Sequence, residues 1–547
     1  MYVSAYRHRS ILIVSDLAAS SRVSTGARTV PAVASTGLTS ADVNEPSPNR
    51  CSSVVRPRHR SPTKDRFMSD TEKFHPQLAG NYAPVTMESD APDLPVTEGH
   101  LPAGLNGVLY RNSTNPMYPP LNKDDHHWFL SEGMVHAVFI RNGKVSYRNR
   151  WVRTDQYLAQ REAGRRLVST GLSTPSLPEG ETISKHFAAT HALYHGQKLL
   201  ALDEWAGPAA LDGDSLETLF ETWDFYGDHD GPFTAHPKLD PDTGEMIGFG
   251  YQAAGPGTSE MSYTVVDPTG HVTRHDHFPV PFCSVAHDFG VTSEHVIFPL
   301  FPADVSIERV QKGGPFVAYN PDLGTHFGIL RRDAEISTMR WFRGAPCYAF
   351  HTMNSYTEVQ DGRTKVVLDM MKFPNLPLFP DVNGENIPQW IRDGDGIPVR
   401  WTFDLDSDDD TYTEEVLSDL KGEFPAIDNR YAGKPYTTGF YSAYQNDEWV
   451  EGAFHDTIVQ LDLTTGKRKE YHPGGGQYFL ETVFVPRSGD APEADGWLLT
   501  LSYNTDRNLS DFLVFDTSDI TQGPIARVEL PTRVPYGFHG SWRPFSE

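Results

Sequence analysis

One pattern constrains the fold of this chain more than any other. From about residue 100 onward, a short β-rich run ends in Asp or Asn, a tight turn follows, and a second β-rich run begins. It occurs at Ile140-Arg-Asn-Gly-Lys-Val-Ser-Tyr147, Leu239-Asp-Pro-Asp-Thr-Gly-Glu-Met-Ile247, Val265-Val-Asp-Pro-Thr-Gly-His-Val272, Ala318-Tyr-Asn-Pro-Asp-Leu-Gly324, Leu461-Asp-Leu-Thr-Thr-Gly-Lys-Arg468 and Val514-Phe-Asp-Thr-Ser-Asp519. Asp and Asn start such turns by side-chain hydrogen bonds, Pro presets φ, and Gly accepts φ > 0. Each stretch predicts a hairpin. Hairpins recurring every several tens of residues are the sequence mark of a β-propeller, the alternatives being a large β-sandwich or two β domains. The spacing is irregular, so the blades carry insertions, and residues 157–168 read as one short helix in such an insertion. In a propeller the inner strands converge on one axis, where residues distant in sequence meet.

A chain of 547 residues with 38% hydrophobic and 12% aromatic content has enough apolar matter for a large core. Its net charge of −25 makes nucleic acid a poor partner, because phosphate backbones are repelled. The three cysteines, Cys51, Cys283 and Cys347, are scattered and form no CxxC. They predict a reducing compartment, the cytoplasm, rather than a disulfide framework. No run reaches the ~20 apolar residues of a membrane span. Residues 1–67 differ from the rest, with nine Arg and one Lys against four acids and no steady period. This segment reads as an organelle transit peptide, a disordered tail, or sequence upstream of a start at Met68. All three readings leave 68–547 as the body.

Four of the 22 histidines stand among apolar or small residues on separate β-rich segments: Thr-Ala-His236-Pro, Val-Ala-His287-Asp-Phe, Tyr-Ala-Phe-His351-Thr and Gly-Phe-His539-Gly. A buried imidazole needs partners for both ring nitrogens, and four of them on a propeller axis suggest a shared metal. Four neutral imidazoles suit Fe, Cu, Ni or Zn, and ligand softness does not choose among them. Glu204, Glu423 and Glu481 also lie in apolar company. A carboxylate there can accept the second N–H of a metal-bound imidazole and offset the charge of the ion.

These contexts resemble the carotenoid cleavage oxygenase family, which includes carotenoid and apocarotenoid oxygenases, lignostilbene dioxygenases and isoeugenol oxygenases. The resemblance runs from about Pro76 to the C-terminus. It rests on Leu109-Tyr-Arg-Asn112, His127-Trp-Phe129, Gly133-Met-Val-His136, Tyr147-Arg-Asn-Arg-Trp-Val-Arg-Thr154, Thr234-Ala-His-Pro-Lys238, His287-Asp-Phe289, Glu423-Phe-Pro425 and Val534-Pro-Tyr-Gly-Phe-His-Gly540, occurring in that order. It implies an all-β, seven-bladed propeller with a helix and loop dome over the iron-bearing face. One Fe(II) per chain would be held by His236, His287, His351 and His539, with Glu204, Glu423 and Glu481 behind three of the imidazoles. Thr190 would crowd an open iron position, and Phe129 and Asp203 would border the substrate pocket. The implied reaction is cleavage of a C=C bond in an apolar conjugated substrate, a carotenoid or apocarotenoid, by O2 to two carbonyl products. Contact with a membrane surface is compatible with the family. A non-catalytic propeller that binds lipid or a retinoid-like ligand is the reading from another class.

Two departures bear on this reading. Family members that cleave hydroxystilbenes or isoeugenol carry a Lys directly before the first of the three glutamates, where this chain has Asp203. They also carry a Tyr some thirty residues earlier, where this chain reads Val168-Ser-Thr-Gly-Leu-Ser-Thr-Pro175. An acid beside a phenolate repels it. A stilbene or phenylpropanoid cleaver would therefore need another anchor, and Asp203 is expected either to accept from a substrate hydroxyl or to be a solvated rim charge. The second departure is Phe129-Leu-Ser-Glu-Gly133, where relatives often read Phe-Asp-Gly-Asp-Gly; an altered turn is expected there.

Overall fold

The turn between Arg141 and Lys144 shows how the sheets are made. Asn142 (φ 52°) and Gly143 (φ 76°) both lie in the left-handed region, the two-residue geometry whose twist matches that of paired strands. In the longer turns an aspartate organises the backbone. Asp240 Oδ1 accepts from the amides of Asp242 and Thr243, Asp267 Oδ1 from Thr269 and His271, and Asp462 Oδ1 from Thr464 and Thr465.

The computed structural model describes residues 76–123, 126–170, 186–385, 396–445 and 454–545, all within the compact unit Phe74–Glu547. The leader 1–67 with Cys51, and residues 171–175 of the tyrosine-less stretch, lie outside the described residues. Seven antiparallel sheets of four or more strands form the propeller expected from the hairpins. Their innermost strands, in chain order, are His191–His195, Lys238–Leu239, Gly290–Val291, Tyr348–Gln360, Gly422–Ala426, the pair Gln477–Phe479 and Val483–Pro486, and finally Gly540–Pro544. Middle strands such as Met246–Tyr251 and His295–Leu300 are buried throughout, whereas the outer strand Thr413–Val416 is exposed throughout. Sheets packed face to face need apolar residues on both sides of their middle strands.

Two strand exchanges close the ring. The C-terminal Gly540–Pro544 pairs with Gly107–Thr114, and the early Val96–Gly99 pairs with Ala526–Glu529. The first exchange is tight: a Cβ on Gly540 would lie 2.0 Å from the Tyr110 carbonyl oxygen.

Five of the six predicted turns join paired strands. The exception is Ala318–Gly324. Val317–Tyr319 pairs with Ala303–Val305 in a small side sheet, and Thr325–Arg331 pairs instead with His295–Leu300 and Arg340–Gly344. That Asn-Pro turn returns the chain from an insertion to its blade.

The predicted helix is α1, Asp155–Ala163, begun by Thr154 Oγ1 accepting from Tyr157 N and ended by Gly164 at φ 64°. It stops short of Val168 because Arg166 turns inward onto Glu132 (2.9 Å). Glu132 also accepts from Gln160 (2.6 Å) and the Met117 amide (3.1 Å). The departure at Phe129–Gly133 therefore supplies a buried anchor for α1. Among the described residues the only other α-helix is Ile307–Gln311, α2, so the propeller carries few helices there. No helix among the described residues is long and apolar enough to cross a membrane. Cys283 and Cys347 are buried free thiols.

Candidate metal centre

Each blade delivers one residue to the hub at or beside its innermost strand: Thr190, His236, His287, His351, Glu423, Glu481 and His539. Local chemistry fixes each one. Thr234 Oγ1 accepts the His236 amide (2.9 Å), setting the entry of that strand. The His539 amide donates to the Thr190 carbonyl (3.0 Å) and the His539 carbonyl accepts from Asn112 N (3.0 Å), so His539 is clasped between two blades. Thr190 is half-buried, and its backbone is the part fixed against the centre.

The four imidazoles converge. His236 Nε2 is 2.9 Å from His287 Nε2, His287 Nε2 is 3.1 Å from His351 Nε2, and His351 Nε2 is 3.0 Å from His539 Nε2. One ligand nitrogen from each of the four lies within 4.8 Å of all the others. Three rings are oriented from behind. Nδ1 of His287 meets Glu204, Nδ1 of His351 meets Glu423, and Nδ1 of His539 meets Glu481 Oε1 at 2.7 Å. With Nδ1–H donated outward, each Nε2 presents its lone pair to the common centre. Several buried lone pairs facing one another repel unless a cation stands between them. Spacings near 3 Å are those of adjacent nitrogens bound to one ion at about 2.1 Å. The residues therefore fit a metal.

The charge states of three of the four rings agree. Burial, with the neighbouring imidazoles, holds His236 and His539 well below the usual histidine range, and it pushes His351 down to about 3. His287 alone is raised: burial pushes it down, but the adjacent Glu204 carboxylate outweighs that. A fifth ring, the half-buried His191, turns Nδ1 to the Ala235 carbonyl (2.9 Å) and lies 5.6 Å from the His539 ring.

The glutamates are held in turn. Tyr251 donates to Glu204 Oε2 (2.8 Å) and the Phe424 amide to Glu423 Oε2 (2.6 Å). Arg111 donates to Glu481 Oε2 (2.7 Å) and to its carbonyl (2.6 Å). Glu423 sits at a bulge followed by Phe424 at φ 57°. A non-glycine residue held there costs about 1–3 kcal/mol and re-aims a side chain beside a site. Glu423→Gln should lower metal affinity or turnover about 10–100-fold; unchanged kinetics and metal content would show that Glu423 does not support His351.

Sequence reasoning overlooked two supports. Asp288 joins three of the hub strands, pairing with Lys238 Nζ (2.7 Å) and accepting from the Thr352 amide (2.8 Å) beside its own neighbour His287. Arg111, fully buried, is the other. An acid or arginine directly beside or within a quoted motif was the available hint.

Asp203 takes neither expected role. It is buried, and its carboxylate accepts from four backbone amides: Phe187 (2.8 Å), Ala188 (2.9 Å), Trp205 (2.9 Å) and Ala206 (3.1 Å). It fixes the segment leading to Thr190 rather than facing substrate or solvent.

Aromatic rings pack against the imidazoles. Phe350 is 5.2 Å from the His287 ring, and Phe424 is 5.6 Å from His351 and 5.5 Å from His539. Phe129, half-buried, extends this packing through Phe538 (5.1 Å), Phe350 (6.4 Å) and Phe379 (6.4 Å).

Comparison with known proteins bears on this arrangement. The family model described as retinal pigment epithelial membrane protein matches residues 82–544. The chain is 33% identical to an isoeugenol monooxygenase of Pseudomonas nitroreducens over 87% of its length and 100% of the relative's. Its structure is similar to that of Pseudomonas brassicacearum lignostilbene dioxygenase, with a TM-score of 0.80 and 37% identity over 86% of this chain and 98% of that one. It is also similar to a cobalt-substituted Synechocystis ACO, with a TM-score of 0.76 and 27% identity over 86% of this chain and 99% of the other. The chain belongs to the retinal pigment epithelial membrane protein family, that of the carotenoid cleavage oxygenases.

Proposed function

We propose that this chain is an Fe(II) dioxygenase that cleaves a conjugated C=C bond with O2, one iron per chain held by His236, His287, His351 and His539. The observation that carries the reading is the convergence of four Nε2 atoms whose rings are set from behind by three carboxylates. Similarity to a cobalt-substituted Synechocystis ACO supports metal binding by a chain of this fold. Bound iron would supply the activation of dioxygen. The overall reaction balances without other reactants: one alkene and one O2 give two carbonyl compounds.

The residues of the chain do the rest. Glu204, Glu423 and Glu481 hold three ligand protons on Nδ1, keeping Nε2 free for the metal. The clasp between Thr190 and His539 fixes one side of the centre. Phe129, Phe350 and Phe424 give an apolar approach that excludes water and orients a flat conjugated chain. No nucleophile or general base is needed. Because Asp203 is consumed by backbone amides, the chain offers no cation there for a phenolate, which favours an apolar alkene of the carotenoid or apocarotenoid class. Similarity to an isoeugenol monooxygenase and a lignostilbene dioxygenase favours a second reading, a phenylpropanoid or stilbene substrate held without that lysine.

Incubating the iron-loaded chain with an apocarotenoid and, separately, with a hydroxystilbene under O2 distinguishes these. Aldehydes from the apocarotenoid are expected. Aldehydes from the stilbene alone would select the second reading. Products from neither, with iron bound, would overturn cleavage and leave a binding propeller.

A further inference from the structure

A second cluster of metal-binding side chains lies away from the hub, on Val272–Pro279, the outer strand of the sheet whose innermost strand is Lys238–Leu239. His275 and His277 are two residues apart, so both project from the same face of that strand. Their Nε2 atoms stand 3.1 Å apart. Each ring is held from behind, His275 Nδ1 by Thr264 Oγ1 (2.9 Å) and His277 Nδ1 by Glu260 Oε1 (2.8 Å). This repeats at smaller scale the arrangement of the hub: paired Nε2 atoms at the spacing of adjacent ligands, with the opposite nitrogens taken by oxygen partners. Asp230, from the loop that enters the sheet, brings a carboxylate oxygen 3.8 Å from His275 Nε2, and the three ligand atoms lie within 4.8 Å of one another.

An independent feature points to the same place. His229, next to Asp230, is only 6% exposed, yet neither of its ring nitrogens makes a hydrogen bond among the described residues. The Gly231 backbone lies beside that ring but outside hydrogen-bond geometry. The ring packs edge-on against His275, 4.8 Å between centroids. A buried imidazole without partners is costly unless something supplies one.

We propose that Asp230, His275 and His277, with His229 beside them, form a second divalent-cation site that takes Zn2+. Two imidazoles and a carboxylate suit a borderline ion of this kind rather than Ca2+ or Mg2+. The Asp230 and Glu260 carboxylates offset its charge. A bound ion would clamp the 221–235 connection, which carries the chain into His236, against the edge of its sheet. The inference is independent of the iron and of the cleavage reading.

The test is equilibrium dialysis of the full-length, iron-loaded chain against Zn2+, with both metals measured. One Zn2+ per chain is expected beyond the retained iron. The variant His275→Ala/His277→Ala should bind no zinc and keep its iron, which also shows that it folds. Glu260→Gln should weaken zinc about 10–100-fold. Equal zinc on the double variant, no zinc on the parent chain, or zinc gained only as iron is lost would each overturn the proposal.

Discussion

Replacing His351 by alanine yields a chain that retains no iron and cleaves no alkene. His351 Nε2 stands 3.1 Å from His287 Nε2 and 3.0 Å from His539 Nε2, so its loss opens a gap between those two ligands. The substitution also strips Glu423, which is completely buried, of its imidazole partner. Removing a ring donor from a buried carboxylate costs roughly 1–3 kcal/mol or more. Instability and loss of ligation are separable. In His351→Ala/Glu423→Ala the uncompensated carboxylate is gone, and the urea midpoint should recover part of its fall while iron stays absent. Full iron in a folded His351→Ala chain would contradict the assignment.

The second large effect is expected at Arg111. Its guanidinium is fully buried and ties the Gly107–Thr114 strand to the neighbouring blade and to the C-terminal segment, donating to Glu481 Oε2, the Glu481 carbonyl and the Phe538 carbonyl (2.7 Å). Arg111→Met keeps much of the volume and removes every donor. Glu481 then faces His539 without its countercharge, the Phe538 carbonyl loses its guanidinium donor, and the Glu481 carbonyl keeps only Thr500 Oγ1 (3.1 Å). The unfolding midpoint should fall by the equivalent of about 3–5 kcal/mol. Iron affinity should fall with it, because Glu481 orients His539. A midpoint and an iron content equal to the parent's would show that the ring closes without this contact.

Some of this was legible in the sequence, for identifiable reasons. Asp and Asn at turn starts act locally, so the hairpins at Asp240, Asp267 and Asp462 follow from a few adjacent residues. The turn at Asn320 misleads because a turn motif fixes the local chain direction but not which strands pair on either side. The histidines at the hub stood out because an imidazole amid apolar neighbours is unusual, and their order matched a known family. Asp203 illustrates the opposite case. Whether a carboxylate faces a pocket or four amides depends on the path of the 186–206 segment, which single-residue chemistry does not encode. Arg111 lay inside a quoted motif, yet its partner Glu481 is 370 positions away. The pair His275 and His277 has strand spacing, but the loop carrying His229 and Asp230 had to be placed before they formed a group.

The central claim is that one iron is gripped by imidazoles from four blades. X-ray absorption of the iron-loaded chain, with its metal content quantified, tests this most directly. The account predicts one iron per chain and multiple-scattering features of four imidazole ligands at about 2.1 Å. A spectrum with two or fewer imidazoles, or iron bound equally well by the His236→Ala and His539→Ala chains, would contradict it.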